Sequence, residues 1–81
     1  MEQTRNFFAQ NVVGLNVRKY RLERNWSQEE LSRRLEKRST YICRGSISRI
    51  ERQERIVADY EVWDLARVFN VTLYDMYRVE G

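Results

Sequence analysis

The chain has no histidine and no proline, one cysteine and three glycines among 81 residues. Without histidine there is no His-based triad, no histidine general base and no His-ligated zinc. A lone thiol, Cys43, closes no internal disulfide and builds no cysteine-rich metal site. Neither a metal nor another cofactor is expected, and no small-molecule ligand. No apolar run approaches the ~18–20 residues of a membrane-spanning helix, and the N-terminus lacks the apolar core of a secretory signal. No membrane partner is expected, and the cytoplasm is the expected compartment. Carboxylates are present, but no D/E-x-K-type spacing or metal cluster supports a nuclease, so the chain is not expected to be an enzyme.

What is present fits one small helical domain. Eighty-one residues leave room for a single core. An apolar fraction of 42% beside a charged fraction of 33% reads as a globular domain and not a disordered tail. The lack of proline and the few glycines favour helices over a turn-rich β fold. No linker, repeat or low-complexity segment divides the chain, so residues 1–81 are read as one domain.

Helix punctuation then divides it into five segments. Val13, Val17 and Tyr20 follow i, i+4, i+7 spacing and place a first helix over about 6–24. Asn25 suits the left-handed residue that ends it. Ser27-Gln28-Glu29-Glu30 reads as a capping box opening helix two, with Trp26 placed to staple onto Leu31. Leu31 and Leu35 continue that helix. Residues 39–43 break the pattern, and Ile47 and Ile50 restart it as helix three over about 44–52. After a loop at 53–58, Asp59 and Glu61 suit the first turn of helix four. Val62, Leu65, Ala66 and Phe69 form its buried stripe. Trp63 lies beside that stripe, and both tryptophans are expected in the core. Thr72-Leu73-Tyr74-Asp75 is a second capping box, opening a short helix five through Tyr77.

The net charge of +3 is unevenly spread. Residues 33–55 carry eight basic and three acidic side chains, net +5, whereas 56–81 carry two basic and five acidic, net −3. On helix three, Ile47 and Ile50 turn inward, leaving Arg44, Ser46, Ser48, Arg49 and Arg52 off the apolar stripe. A helix presented in this way can enter the major groove, where an arginine fork donates to guanine O6 and N7. Arg33, Arg34, Lys37 and Arg38 could add phosphate contacts, and the amides at the start of helix two can face an anion. A solvated basic face is the bland alternative on charge alone.

Four segments taken in order carry a family resemblance: Val13-Gly14-Leu15-Asn16-Val17-Arg18-Lys19-Tyr20-Arg21, Trp26-Ser27-Gln28-Glu29-Glu30-Leu31, Gly45-Ser46-Ile47-Ser48-Arg49-Ile50-Glu51 and Leu65-Ala66-Arg67-Val68-Phe69-Asn70-Val71. Over about residues 12–77 the chain resembles the phage repressor and Cro type of helix-turn-helix, the XRE family. The resemblance implies an all-α, five-helix lambda-repressor-like domain that binds double-stranded operator DNA, usually as a homodimer. It implies that Arg44, Gly45, Ser48 and Arg49 lie at base-reading positions. It implies phosphate contacts from Gln28, Ser46 and Cys43, joined on charge by Arg52, Arg38 and Lys37. It further implies that Ser32 lets helices two and three cross closely, that Arg21 and Glu51 form a structural salt bridge, and that Tyr74 and Tyr77 contribute to a dimer interface.

Three features depart from the family pattern. The connection between helices two and three is about five residues longer, with Glu36 where a glycine is usual; a longer helix two and an extended turn at 38–42 are expected. Cys43 replaces the usual Ser or Thr cap, and a thiol is a weaker acceptor. Gly45 stands at a position that often reads a base, which shifts the expectation towards close backbone approach and shape readout. A redox role for Cys43 is set aside for want of a second cysteine. Phe7 and Phe8 are read as an extension of helix one that covers the core or an interface, and not as a DNA-reaching arm. The expected function is a sequence-specific transcriptional regulator, a repressor on a palindromic operator. The alternative is an antitoxin or adaptor that uses its acidic C-terminal third to bind another protein.

Overall fold

The computed structural model describes residues 12–79. The expected start of helix one near residue 6, and Phe7 and Phe8, fall outside the described residues. Within them run five helices: α1 (Val12–Glu23), α2 (Gln28–Glu36), α3 (Arg44–Glu51), α4 (Asp59–Phe69) and α5 (Leu73–Tyr77). There is no strand among the described residues. Helix α1 is the hub, packed against α3, α4 and α5, while α2 packs on α3 and α4. The core draws on every element: Val13, Val17 and Tyr20 of α1, Leu31 and Leu35 of α2, Ile47 and Ile50 of α3, Val62, Leu65, Ala66 and Phe69 of α4, and Met76 of α5.

Four of the helices end in the same way. Asn25, Ser39, Gln53 and Asn70 each adopt a left-handed conformation, with φ of 60°, 68°, 63° and 61°. The residue after each bonds back to a carbonyl five positions earlier: Trp26 to Arg21, Thr40 to Leu35, Glu54 to Arg49 and Val71 to Ala66. This is the Schellman arrangement, which satisfies helix-terminal carbonyls. None of the four is glycine, the residue that adopts this conformation most readily. Two asparagines tolerate it, whereas Ser39 and Gln53 are held there by the anchored segments C-terminal to them.

The helix starts follow their capping residues in part. Ser27 accepts the Glu30 N–H at 2.9 Å. Glu30 does not complete the expected box, because its carboxylate is taken by Arg33 and Arg34. At α5 both halves form: Thr72 Oγ1 accepts the Asp75 N–H, and Asp75 accepts the Thr72 N–H, each at 3.0 Å. At α4 the Glu61 carboxylate accepts the Ala58 N–H at 2.9 Å. Glu61 is buried and also takes a bidentate pair from Arg55. That pair ties the loop at 53–58 to α4.

The two tryptophans part company. The Trp26 ring stacks on Phe69 of α4, centroids 5.9 Å apart, with the Arg34 guanidinium 4.1 Å above it. Trp63 is not in the core; it is 52% exposed. At about 100° per residue, a side chain one position after Val62 points off a stripe made by 62, 65, 66 and 69. The chain end beyond α5 is fastened to α1, since the Asn16 side chain donates to the Met76 and Arg78 carbonyls at 2.7 and 2.9 Å.

Helix α2 stops at Glu36, so it is not lengthened and the extra residues fall in the connection at 37–43. That connection is well anchored. Ile42 is 2% exposed and joins the core. The Thr40 hydroxyl donates to Asp64 of α4, and Arg38 reaches the same carboxylate at 3.2 Å.

Candidate nucleic-acid interface

Helix α3 divides cleanly into an inner and an outer face. Ile47, Ile50 and Glu51 are buried, while Arg44, Gly45, Arg49 and Arg52 are exposed or half-buried, as are Ser46 and Ser48. A Cβ added at Gly45 would meet no heavy atom within 4 Å, so this position lies open. The helix is therefore carried on its apolar side and presents an arginine- and serine-bearing side to solvent.

The inner face is locked by charge as well as by packing. The Arg21 guanidinium donates to Glu51 twice, through Nε at 2.7 Å and Nη2 at 3.0 Å. Its remaining nitrogen, Nη1, donates to the Trp26 carbonyl at 2.8 Å. Gln28 Nε2 adds a third bond to Glu51, at 3.0 Å. Both charged side chains are buried, at 10% and 3% exposure, and the fork-to-carboxylate match is bidentate. This network joins α1, the turn before α2 and the C-terminal end of α3, and so sets how α3 is carried. Ser32 is buried on α2, which packs on α3.

Ion pairing sharpens the charge map. Of the eight basic residues between 33 and 55, five are paired: Arg33 and Arg34 with Glu30, Arg38 with Asp64, Arg52 with Glu54 and Arg55 with Glu61. Lys37, Arg44 and Arg49 make no ion pair among the described residues. Two of these three unpaired cations stand on the outer face of α3. The apparent +5 is thus concentrated where a helix is offered outward. Arg52 spends part of its fork on the Ser48 hydroxyl, and Gln28 spends its amide nitrogen on Glu51.

At the N-terminus of α3, Cys43 occupies the cap position without a side-chain capping bond. Its sulfur lies 3.4 Å from Ser46 Oγ. The Ser46 hydroxyl and the backbone N–H groups of Ser46 and Gly45 hold the thiol below its ordinary value, because they stabilise the thiolate.

Not every expected site residue joins this face. Tyr74 and Tyr77 lie on α5, which packs on α1 and α4, and are 75% and 50% exposed. Near them Asp59, Tyr60, Val62, Trp63, Leu73 and Tyr77 line an open hollow of about 350 Å³ between α4 and α5. One exposed residue beside α3 was not picked out from the sequence: Tyr41, at 65% exposure. The available signal was an aromatic set among Lys37, Arg38 and Arg44 in a polar turn.

A helix-turn-helix family model matches residues 17–76. No curated protein and no solved structure matches the chain.

Proposed function

Because the chain belongs to the helix-turn-helix family of the phage repressor and Cro type, we propose that it is a DNA-binding transcription regulator that reads a palindromic operator as a homodimer and represses from it. Family membership itself points to DNA binding. The observation that carries sequence-specific contact is the pair of unpaired guanidinium groups, Arg44 and Arg49, on the outer face of α3. An arginine fork free of carboxylates can offer both donors to guanine without first breaking an ion pair.

In this reading α3 enters the major groove, with Arg44, Ser48 and Arg49 at base edges and Gly45 admitting close approach. Ser46, Cys43, Gln28 and Lys37 contact phosphates, as do Arg38 and Arg52 after exchanging their carboxylate partners for phosphate oxygens. A second copy is seated on the α4–α5 face. That assignment is supported by the exposure of Trp63 and Tyr77, which line one open hollow between α4 and α5, and of Tyr74 on the same short helix. Doubling the module places two α3 helices about one DNA turn, roughly 34 Å, apart.

Selection of bound duplexes from a random pool tests this reading. The expected product is an inverted repeat with G-containing half-sites. Failure to enrich any sequence would overturn sequence-specific binding, and enrichment of a single unrepeated half-site would overturn the dimer. Sedimentation of Tyr77→Arg beside the wild type checks the interface, with dissociation to a monomer expected.

A further inference from the structure

We propose that the long connection between α2 and α3 is a second DNA-contacting element, and that it holds Tyr41 so that its hydroxyl donates to a phosphate oxygen beside the bases faced by α3. The inference rests on the DNA-binding reading above.

The argument starts from burial along the connection. Thr40 is 8% exposed, Tyr41 65%, Ile42 2%, and Cys43 exposed. Inward and outward positions alternate with a period of two, the pattern of a chain segment whose successive side chains leave from opposite sides. Tyr41 therefore shares its side with Cys43, the cap residue of α3. Two residues of extended chain span roughly 6.5–7 Å, so Tyr41 is carried close to the start of α3. A phenol on that side, one step before the end of α3 that approaches the bases, is placed at the groove edge.

The same segment is held firmly. Asp64 of α4 takes the Thr40 hydroxyl through one oxygen and Arg38 through the other, and Ile42 is locked in the core. The backbone on both sides of Tyr41 is thus ordered before any ligand arrives, so binding through its side chain costs little ordering of the chain. Tyr41 itself makes no hydrogen bond and no ring contact among the described residues. Of the cations near it in sequence, Lys37 and Arg44 make no ion pair among the described residues, so the positive charge on this stretch of chain favours a phosphate there. A neutral donor there adds a charge-assisted hydrogen bond without adding a charge.

The test compares wild type, Tyr41→Phe, Tyr41→Ala and Arg49→Ala in equilibrium binding to the selected duplex and to a scrambled duplex, over a range of salt. Removing the hydroxyl in Tyr41→Phe is expected to weaken binding about tenfold per copy, the size of a hydrogen bond to a charged acceptor. The factor should be the same on both duplexes, because a phosphate carries no sequence information. The slope of log K against log salt should not change, because tyrosine releases no counterion. The thermal midpoint of Tyr41→Phe should match the wild type, since the residue is mostly exposed. Tyr41→Phe binding as wild type, or losing affinity on the selected duplex only, overturns the proposal. If Arg49→Ala loses affinity and Tyr41→Phe does not, DNA binding stands and this inference alone falls. If the wild type binds neither duplex, both fall.

Discussion

Replacing Glu51 with alanine is the most demanding test of how α3 is held. The carboxylate is 3% exposed and accepts three hydrogen bonds, two from Arg21 and one from Gln28. Glu51→Ala leaves the Arg21 guanidinium buried with only the Trp26 carbonyl as partner. Breaking a buried pair from one side costs about 3–5 kcal/mol. A domain of 81 residues has a total stability of roughly 4–12 kcal/mol. The substitution therefore removes a large share of it, and at ~4–8 °C per kcal/mol the thermal midpoint should fall by roughly 12–40 °C. The double variant Arg21→Met, Glu51→Leu removes both charges and should recover most of the loss. Urea unfolding suits the measurement, because Trp26 is stacked on Phe69 and its fluorescence reports the transition. A double-mutant cycle built from Arg21→Met alone, Glu51→Leu alone and the two together gives the coupling directly. A loss under about 1 kcal/mol in Glu51→Ala, or a double variant no more stable than the weaker single one, would refute the reasoning.

Three other outcomes are expected. Arg49→Ala should cost about 1–3 kcal/mol in operator binding and relax preference at one base pair, as a competition series over single-base operator variants would show. The slope of log K against log salt should lie near about −9 for two bound copies that each bring Lys37, Arg38, Arg44, Arg49 and Arg52 to the DNA, and not near about −14 as all eight cations per copy would give; a flat plot contradicts the charge map. Stability should decline in acid through Glu61. Its burial opposes ionisation, but bonds from Arg55 and from the Ala58 N–H outweigh this and hold its pKa below the ordinary 4.5. A lowered folded-state pKa stabilises above the unfolded value and is lost as pH falls through the folded one. Unfolding free energy should therefore drop below about pH 4.5, and Glu61→Gln should show a flatter acid limb than the wild type. Equal acid limbs would disprove the assignment.

Much of the architecture could be read from residue order because each cue is local. Apolar spacing at Val13, Val17 and Tyr20, the Ser27 and Thr72 caps, and the Ile47–Ile50 pair all act within a turn or two of helix, where backbone hydrogen bonding and side-chain direction are set. The left-handed ends at Ser39 and Gln53 could not be read in this way. Neither residue type favours positive φ, and both are held by long-range anchoring of the adjoining segments, by Asp64 on Thr40 and by Glu61 on Arg55. Trp63 misled for a related reason: a large aromatic near an apolar stripe reads as core, but one residue of helical rotation takes it outside.

By itself the sequence determined the five helices, the apolar stripes of the first four and the concentration of positive charge in the middle of the chain. Those are properties of spacing and composition. Only the tertiary structure decided which cations are available, because a carboxylate distant in sequence, as Asp64 is from Arg38, neutralises a guanidinium only when folding brings the two together. It likewise decided that Tyr41 is carried outward on an anchored connection while Trp63 lies bare on the α4–α5 face. Exposure depends on what the rest of the chain covers, and that coverage exists only once the helices have packed.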